Sequence, residues 1–315
     1  MTKDISILNN HKPARIKTSF GDKMISVITY LVYALLAFAC VYPFYYLIIN
    51  SISDNKLSEA SKIIFLPHGI HFDNYVQVML LPDLLPAAKV SVLRTVIGAS
   101  LTVISSAFLG FMFTRETMWH RKLWYRLVTV TMYINAGIIP WYLTMKLLGL
   151  TDNFWGYIFP LIIQPYYIVL CKTYCESVPH ELQDAGEIDG AGTLRVFFSI
   201  ILPVIKPILA TIAVFAAVNQ WNAFQDTVLL MTKGTDNYTL QFILWRYINS
   251  ASALKAVVSN AAASSSMVAA LAAKAATETS VRMTVTVIVV IPIMCVYPFF
   301  QRFFTKGIMI GAVKG

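Results

Sequence analysis

The chain has 315 residues, of which 57% are hydrophobic and only 13% charged, and its mean hydropathy is +0.64. A water-soluble chain of this length carries about twice that charged fraction, so a soluble enzyme or binding module is excluded. The formal net charge of +9 does not indicate nucleic acid, because no basic patch interleaved with aromatics occurs; surplus Lys and Arg are what cytoplasmic loops of a membrane protein retain.

Lys3, Lys12, Arg15, Lys17 and Lys23 precede the first apolar stretch. That stretch is too long for a removable signal segment and lacks a small-residue cleavage site, so it reads as a retained membrane helix. About 20 apolar residues cross a bilayer as a helix. By that rule the sequence predicts an all-α, polytopic membrane protein with six spans: Ser26 to Ile49, Val90 to Phe113, Tyr125 to Leu148, Tyr157 to Cys175, Val204 to Met231, and Val281 to Phe304. Pro140, Pro160 and Pro165, with Asn135 and Gln164, interrupt the third and fourth spans. Such breaks are tolerated where neighbouring helices or a wet cavity satisfy the freed carbonyls.

The basic tail of residues 1–25, and Arg115, Arg121, Lys122 and Arg126 after the second span, place both segments in the cytoplasm. Six spans then put the C-terminal tail, 305–315, inside as well. The transmembrane domain covers 26–304, with a cytoplasmic loop at 177–203 and external loops at 52–89 and 232–280. The Ala/Ser-rich part of the second external loop, around Ala261 to Ser266, reads as a surface helix from alanine's propensity and the spacing of Leu254, Val257 and Val258. Cys40, Cys171, Cys175 and Cys295 all lie in apolar spans without the further ligands a metal needs, and read as packing residues. His68 and His71 beside Asp73 likewise lack a further ligand.

The cytoplasmic loop is a polar, acidic island between apolar stretches. Pro179 suits a first helical turn, Ser177 reads as the cap, and Glu181 and Asp184 favour the positive helix start. A short helix is expected from Pro179 to Ile188, a sharp turn at Gly190 and Gly192, and the fifth span from Pro203. The island runs Asp184-Ala185-Gly186, three residues, Gly190, nine residues, then Ile200, one residue, Leu202-Pro203. This spacing resembles the loop written E-A-A, three residues, G, nine residues, I-x-L-P in the permeases of bacterial ABC importers. Asp184 replaces Glu and keeps the charge; Gly186 replaces Ala, which costs about 1 kcal/mol of helix stability.

The resemblance extends over roughly residues 20 to 315, through Gly137-Ile138-Ile139-Pro140, Asn219-Gln220-Trp221-Asn222 and the tail from Val296 to Gly315. It is to the carbohydrate branch, and within it to the maltose-permease-like subunit. Permeases for oligosaccharides or polysaccharide fragments, including pectin- or alginate-type uronates, are similar. The resemblance implies the six-helix type I importer permease fold in a bacterial inner membrane. It implies a second homologous permease subunit, two copies of an ATPase, an extracellular solute-binding protein and a carbohydrate substrate as partners. Glu181, Asp184, Ala185, Gly186, Gly190, Leu202 and Pro203 would couple to the ATPase. The sequence holds no G-x-x-x-x-G-K-[ST] loop, so ATP and magnesium belong on the partner, and the chain itself would carry no cofactor or catalytic residue.

Polar groups in membrane helices are costly and mark candidate pathways. Tyr133, Asn135, Tyr142, Asn219, Trp221 and Asn222 could meet a sugar, the rings by stacking and the amides through hydroxyls. They could equally join helices. Lys89, Arg94 and Arg246 could draw an acidic sugar or be paired. An ion-coupled secondary transporter is the alternative; it would need a deep carboxylate, and Asp226 is the one on offer.

Overall fold

The computed structural model describes residues 20–249, 279–296 and 298. Residues 1–19, the C-terminal tail and the Ala/Ser-rich segment lie outside the described residues; residues 20–25, expected as part of the N-terminal tail, already belong to the first helix. These residues fall into two units, one ending at Leu47 and one beginning at Ile48. Among them the secondary structure is helical, without strands.

The first unit is the bulk of α1 (Phe20–Ser51, 32 residues). Every residue from Phe20 to Val41 is exposed, and the helix is apolar on all sides, as a lipid-facing span must be. Its aromatic rungs Phe38, Tyr42 and Tyr46 repeat every four residues, with ring centroids 5.9 and 6.3 Å apart.

The second unit opens with buried polar residues. Ser58 donates to Asn50 Oδ1 at 2.9 Å, and the Asn74 amide donates to the Ser51 carbonyl at 3.1 Å and to Asn55 Oδ1 at 3.0 Å. These bonds fasten α2 (Asn55–Glu59) and α3 (Asp73–Met79) beside the last turn of α1. The segment expected as an external loop at 52–89 is therefore partly helical, and α4 (Leu84–Met112) begins six residues before the predicted span.

Helix α4 is the spine of this unit. It supplies Leu84 and Ala87 to one core cluster, Val90 to a second, and Ala107 and Phe111 to a third. Small residues let its neighbours approach: a Cβ at Gly110 would lie 2.6 Å from Cys171 Cβ and 2.9 Å from the Lys172 backbone nitrogen. Of the four cysteines expected to pack, Cys171 and Cys175 are buried here, whereas Cys40 and Cys295 are exposed.

The predicted third span, Tyr125 to Leu148, is divided. It comprises α5 (Arg121–Thr131) and α6 (Ile138–Leu147), neither long enough to cross a bilayer alone. Gly137, with φ +87°, and Asn135, which accepts the Gly137 N–H at 2.9 Å, build the turn that separates them. The fourth span is a bent pair, 3₁₀ turns at Phe154–Tyr157 and Phe159–Leu161 followed by α7 (Pro165–Glu176), with a bend of 45°. Pro165 has no N–H for the Leu161 carbonyl. Thr102 of α4 donates to that carbonyl at 2.9 Å, and Ser105 to the Ile162 carbonyl at 2.6 Å.

Next come α8 (Glu181–Ile188), α9 (Thr193–Val196), a π-helical turn (Phe197–Ile201), α10 (Leu202–Val204), α11 (Lys206–Asn222) and α12 (Gln225–Leu230). The fifth span does not start at Pro203 as expected. The segment Thr193–Val204 meets α11 at 83°, with Pro203 and Pro207 flanking a non-helical Ile205 (ψ 10°). Helix α13 (240–249) and α14 (Thr279–Val296) complete the described fold. Against the six expected spans, the described residues hold three helices long and apolar enough to cross a membrane and two bent pairs.

Candidate functional site

Two regions stand out, at opposite ends of α4. The first is built on α8. Ser177 does not cap it, because its hydroxyl turns back to the Tyr174 carbonyl at 2.7 Å and closes α7; α8 starts after His180. Glu181 and Asp184 sit in its first turn, where the helix dipole favours negative charge. Gly190 takes φ +76°, the left-handed turn that glycine enters at least cost, and its N–H closes on the Glu187 carbonyl at 2.9 Å.

Helix α8 has an occupied side and an open side. Gln183 and Gly186 are buried. A Cβ at Gly186 would lie 2.5 Å from Ile200 Cδ1 in the π turn, so this helix rides closer to its support than alanine allows without a shift of Ile200. Arg115, just beyond α4, donates to Gln183 Oε1 at 3.1 Å and forms an ion pair with Glu187. On the open side Leu182, Ala185 and Ile188 are exposed, Ile188 to 85%. Leu202 packs against the cluster around Ile201 and Ile205, and Pro203 sits at the 83° corner. Leu202 is half-buried and Pro203 exposed.

The second region is an open cavity of about 590 Å³. Its wall includes the predicted Asn135, Asn219 and Asn222, and also Trp141, Phe224, Gln225 and Asp226. The other predicted residues lie elsewhere. Tyr133 is exposed outside it, Tyr142 packs on the cluster around Met145 and Leu150, and Trp221 is a core residue whose indole N–H donates to the Val289 carbonyl at 3.1 Å.

Behind the cavity wall lies an ion pair. Arg94 is fully buried; its guanidinium forks onto both Asp226 carboxylate oxygens, donates to Gln220 Oε1 at 2.9 Å and the Ala223 carbonyl at 3.2 Å, and stands 4.5 Å over the Tyr157 ring. The Tyr157 hydroxyl donates to the Asn237 carbonyl at 2.6 Å. Arg94 is thus paired, as is Arg246, which reaches Asp83 at 3.0 Å. The Arg94–Asp226 pair spans 132 positions, and no local signal in the sequence joins the two.

At the same end, Asp152 ties two connections together. Its carboxylate accepts the backbone N–H groups of Lys233 at 2.8 Å and Thr232 at 2.6 Å. The Lys233 bond, followed by those from Thr232, holds the carboxyl below its ordinary value near 3.8.

Known proteins carry the same architecture. The structure superposes with a TM-score of 0.78, at 26% identity, on a chain from the crystal structure of a bacterial ABC transporter involved in the import of the acidic polysaccharide alginate, covering 91% of this chain and 99% of that one. The chain is 29% identical over 294 residues to the polygalacturonan/rhamnogalacturonan transport system permease protein YtcP of Bacillus subtilis, covering 93% of this chain and 99% of that protein. It is 33% identical over 276 residues to protein LplC of the same organism, covering 87% and 90%. The arabinooligosaccharides transport system permease protein AraQ of Halalkalibacterium halodurans is 26% identical, covering 90% and 94%. The sequence profile of the binding-protein-dependent transport system inner membrane component matches residues 14–310, and the chain belongs to that family.

Proposed function

We propose that this chain is the membrane-spanning half of a sugar importer, working with a homologous permease subunit, an external solute-binding protein and a separate ATPase that docks on α8. The open side of α8 carries this reading. A helix facing water has no use for Leu182, Ala185 and Ile188 in a row, whereas a partner's cleft does. The basic residues put this end of the bundle in the cytoplasm, where ATP is available. Both termini lie on that side by the same rule.

The cavity would be this subunit's share of the sugar path. Asn135, Asn219, Asn222 and Gln225 offer amide donors and acceptors for hydroxyls, with Trp141 and Phe224 as apolar surfaces. The names of the relatives point to oligosaccharides or polysaccharide fragments as the substrate class. In alternating access, closure of the ATPase would move α8 and the connected helices, opening the cavity outward, and hydrolysis would reset it. The chain performs no bond chemistry in this scheme; ATP and magnesium sit on the partner. Ion-coupled secondary transport is disfavoured because the Asp226 carboxylate is held by Arg94 and is not free to take a coupling ion.

The test is co-purification of the ATPase in detergent with wild type and an Ala185→Trp variant. Ala185 faces outward, so the fold should persist while the complex is lost. An ATPase that never co-purifies, with reconstituted transport running on an ion gradient alone, would overturn the reading.

A further inference from the structure

Helix α4 carries two guanidinium grips. Within its length Arg94 holds Asp226 of α12, a residue of the cavity wall. Just past its end Arg115 holds Gln183 and Glu187, four residues apart and so on one face of α8. From Arg94 to Met112 the helix is unbroken; at about 1.5 Å of rise per residue this stretch covers ~27 Å, and Arg115 lies three residues beyond it. Along that length α4 contributes to two core clusters, through Ile97 and Leu101 to one and Ala107 and Phe111 to the other, so it is a packed element rather than an isolated rod.

Arg115 is built into this helix end. Its backbone N–H closes on the Met112 carbonyl at 3.1 Å, and its guanidinium lies 5.8 Å from the centre of the Phe111 ring. Only 13% of its side chain is exposed, against 43% for Glu187. Among the described residues, no other side-chain hydrogen bond or ion pair joins α8 to another element. The covalent route from α8 to the cavity instead runs through the π turn and the 83° corner before α11, a path that bends where a push must be transmitted. A half-exposed ion pair adds little to stability. Arg115 fixes α8 to the end of α4.

We propose that Arg115 is the positioning residue that couples α8 to the cavity, with α4 as the connecting element. This rests on the reading of α8 as the ATPase-facing helix. The chemistry required at position 115 is a fork of N–H donors that reaches an amide and a carboxylate together, which a lysine ammonium meets only in part.

The experiment uses the complete transporter in proteoliposomes with its binding protein and an oligogalacturonide as the transported probe. It compares wild type with Arg115→Gln, Arg115→Lys and the exchange Arg115→Glu/Glu187→Arg. Two quantities are read: ATPase retained on purification, and sugar imported per ATP hydrolysed. The proposal expects Arg115→Gln to keep its ATPase but to import at least fivefold less sugar per ATP, Arg115→Lys to fall between, and the exchange to recover more than half of the loss. Arg115→Gln at the wild-type ratio would overturn it. So would an exchange variant as impaired as Arg115→Gln, because a merely structural defect would not be rescued by restoring the ion pair. Failure of the wild-type chain to retain any ATPase would instead remove the reading of α8, and this inference with it.

Discussion

An arginine in the middle of a lipid-crossing helix persists only when its charge and its five N–H groups are met by the protein. Asp226, Gln220, the Ala223 carbonyl and the Tyr157 ring do this for Arg94. Removing one partner leaves a buried charge, so Asp226→Ala should destabilise the chain by about 3–5 kcal/mol, read as a lowered melting temperature in detergent. The double variant Arg94→Met/Asp226→Leu should recover most of that loss, because it removes both charges together. Asp152 gives a pH prediction. Its carboxyl titrates below the ordinary value near 3.8 in the folded chain, so its tie to Thr232 and Lys233 is fully present above that value. It is lost as pH falls through the lower folded-state value. Protection of the Lys233 amide from hydrogen exchange, corrected for intrinsic rate, should be flat above about pH 4 and fall below it; Asp152→Asn should lower it at neutral pH.

At the level of elements, the apolar runs on either side of the loop at 177–203 and the prolines within the fourth span were legible, because lipid imposes length and proline removes a donor. What replaces the missing bonds was not. Thr102 and Ser105 look like ordinary small residues of a span, yet they bind the carbonyls left free ahead of Pro165. Thr102→Val should therefore cost about 1 kcal/mol, measured as a shift in the detergent melting curve, and Ser105→Ala a similar amount. Gly110 faces backbone rather than a flexible side chain. Gly110→Val should drive α4 and α7 apart and lower folded yield, judged by size-exclusion profile, whereas Gly21→Val, at an exposed position with nothing nearby, should leave it unchanged. The short helix after Pro179 was foreseen from its acidic start and its glycine turn. Its expected cap, Ser177, serves α7 instead: a hydroxyl between two helices can serve either end, and here it bonds the i−3 carbonyl of α7.

For the whole molecule, the cavity gathers residues that sequence order keeps far apart. Asn219 and Asn222 of α11 meet Asn135 and Trp141 around one space. Asn219→Ala and Asn222→Ala should each raise the sugar concentration for half-maximal import several-fold in proteoliposomes, with folding unchanged. Trp221→Ala should instead destabilise by about 3–5 kcal/mol, since its ring fills a core. Periodicity could not separate these neighbours: both amide and indole count as costly polar groups in a span, and only the rotation of α11 against α4 and α14 decides which faces the space.

The sequence by itself determined that this chain lives in a bilayer, because a shortage of charge and long apolar runs leave no other solvent for it. It also placed the polar loop at 177–203, since a fixed pattern of small, acidic and glycine residues needs no tertiary context to be read. The tertiary structure alone decided where the spans break, which side of α8 is open, and that Arg94 and Asp226 neutralise each other. Those outcomes depend on which helices lie side by side, and helix neighbours in lipid are chosen by close packing and by polar groups finding partners across many residues. No local run of sequence records that choice.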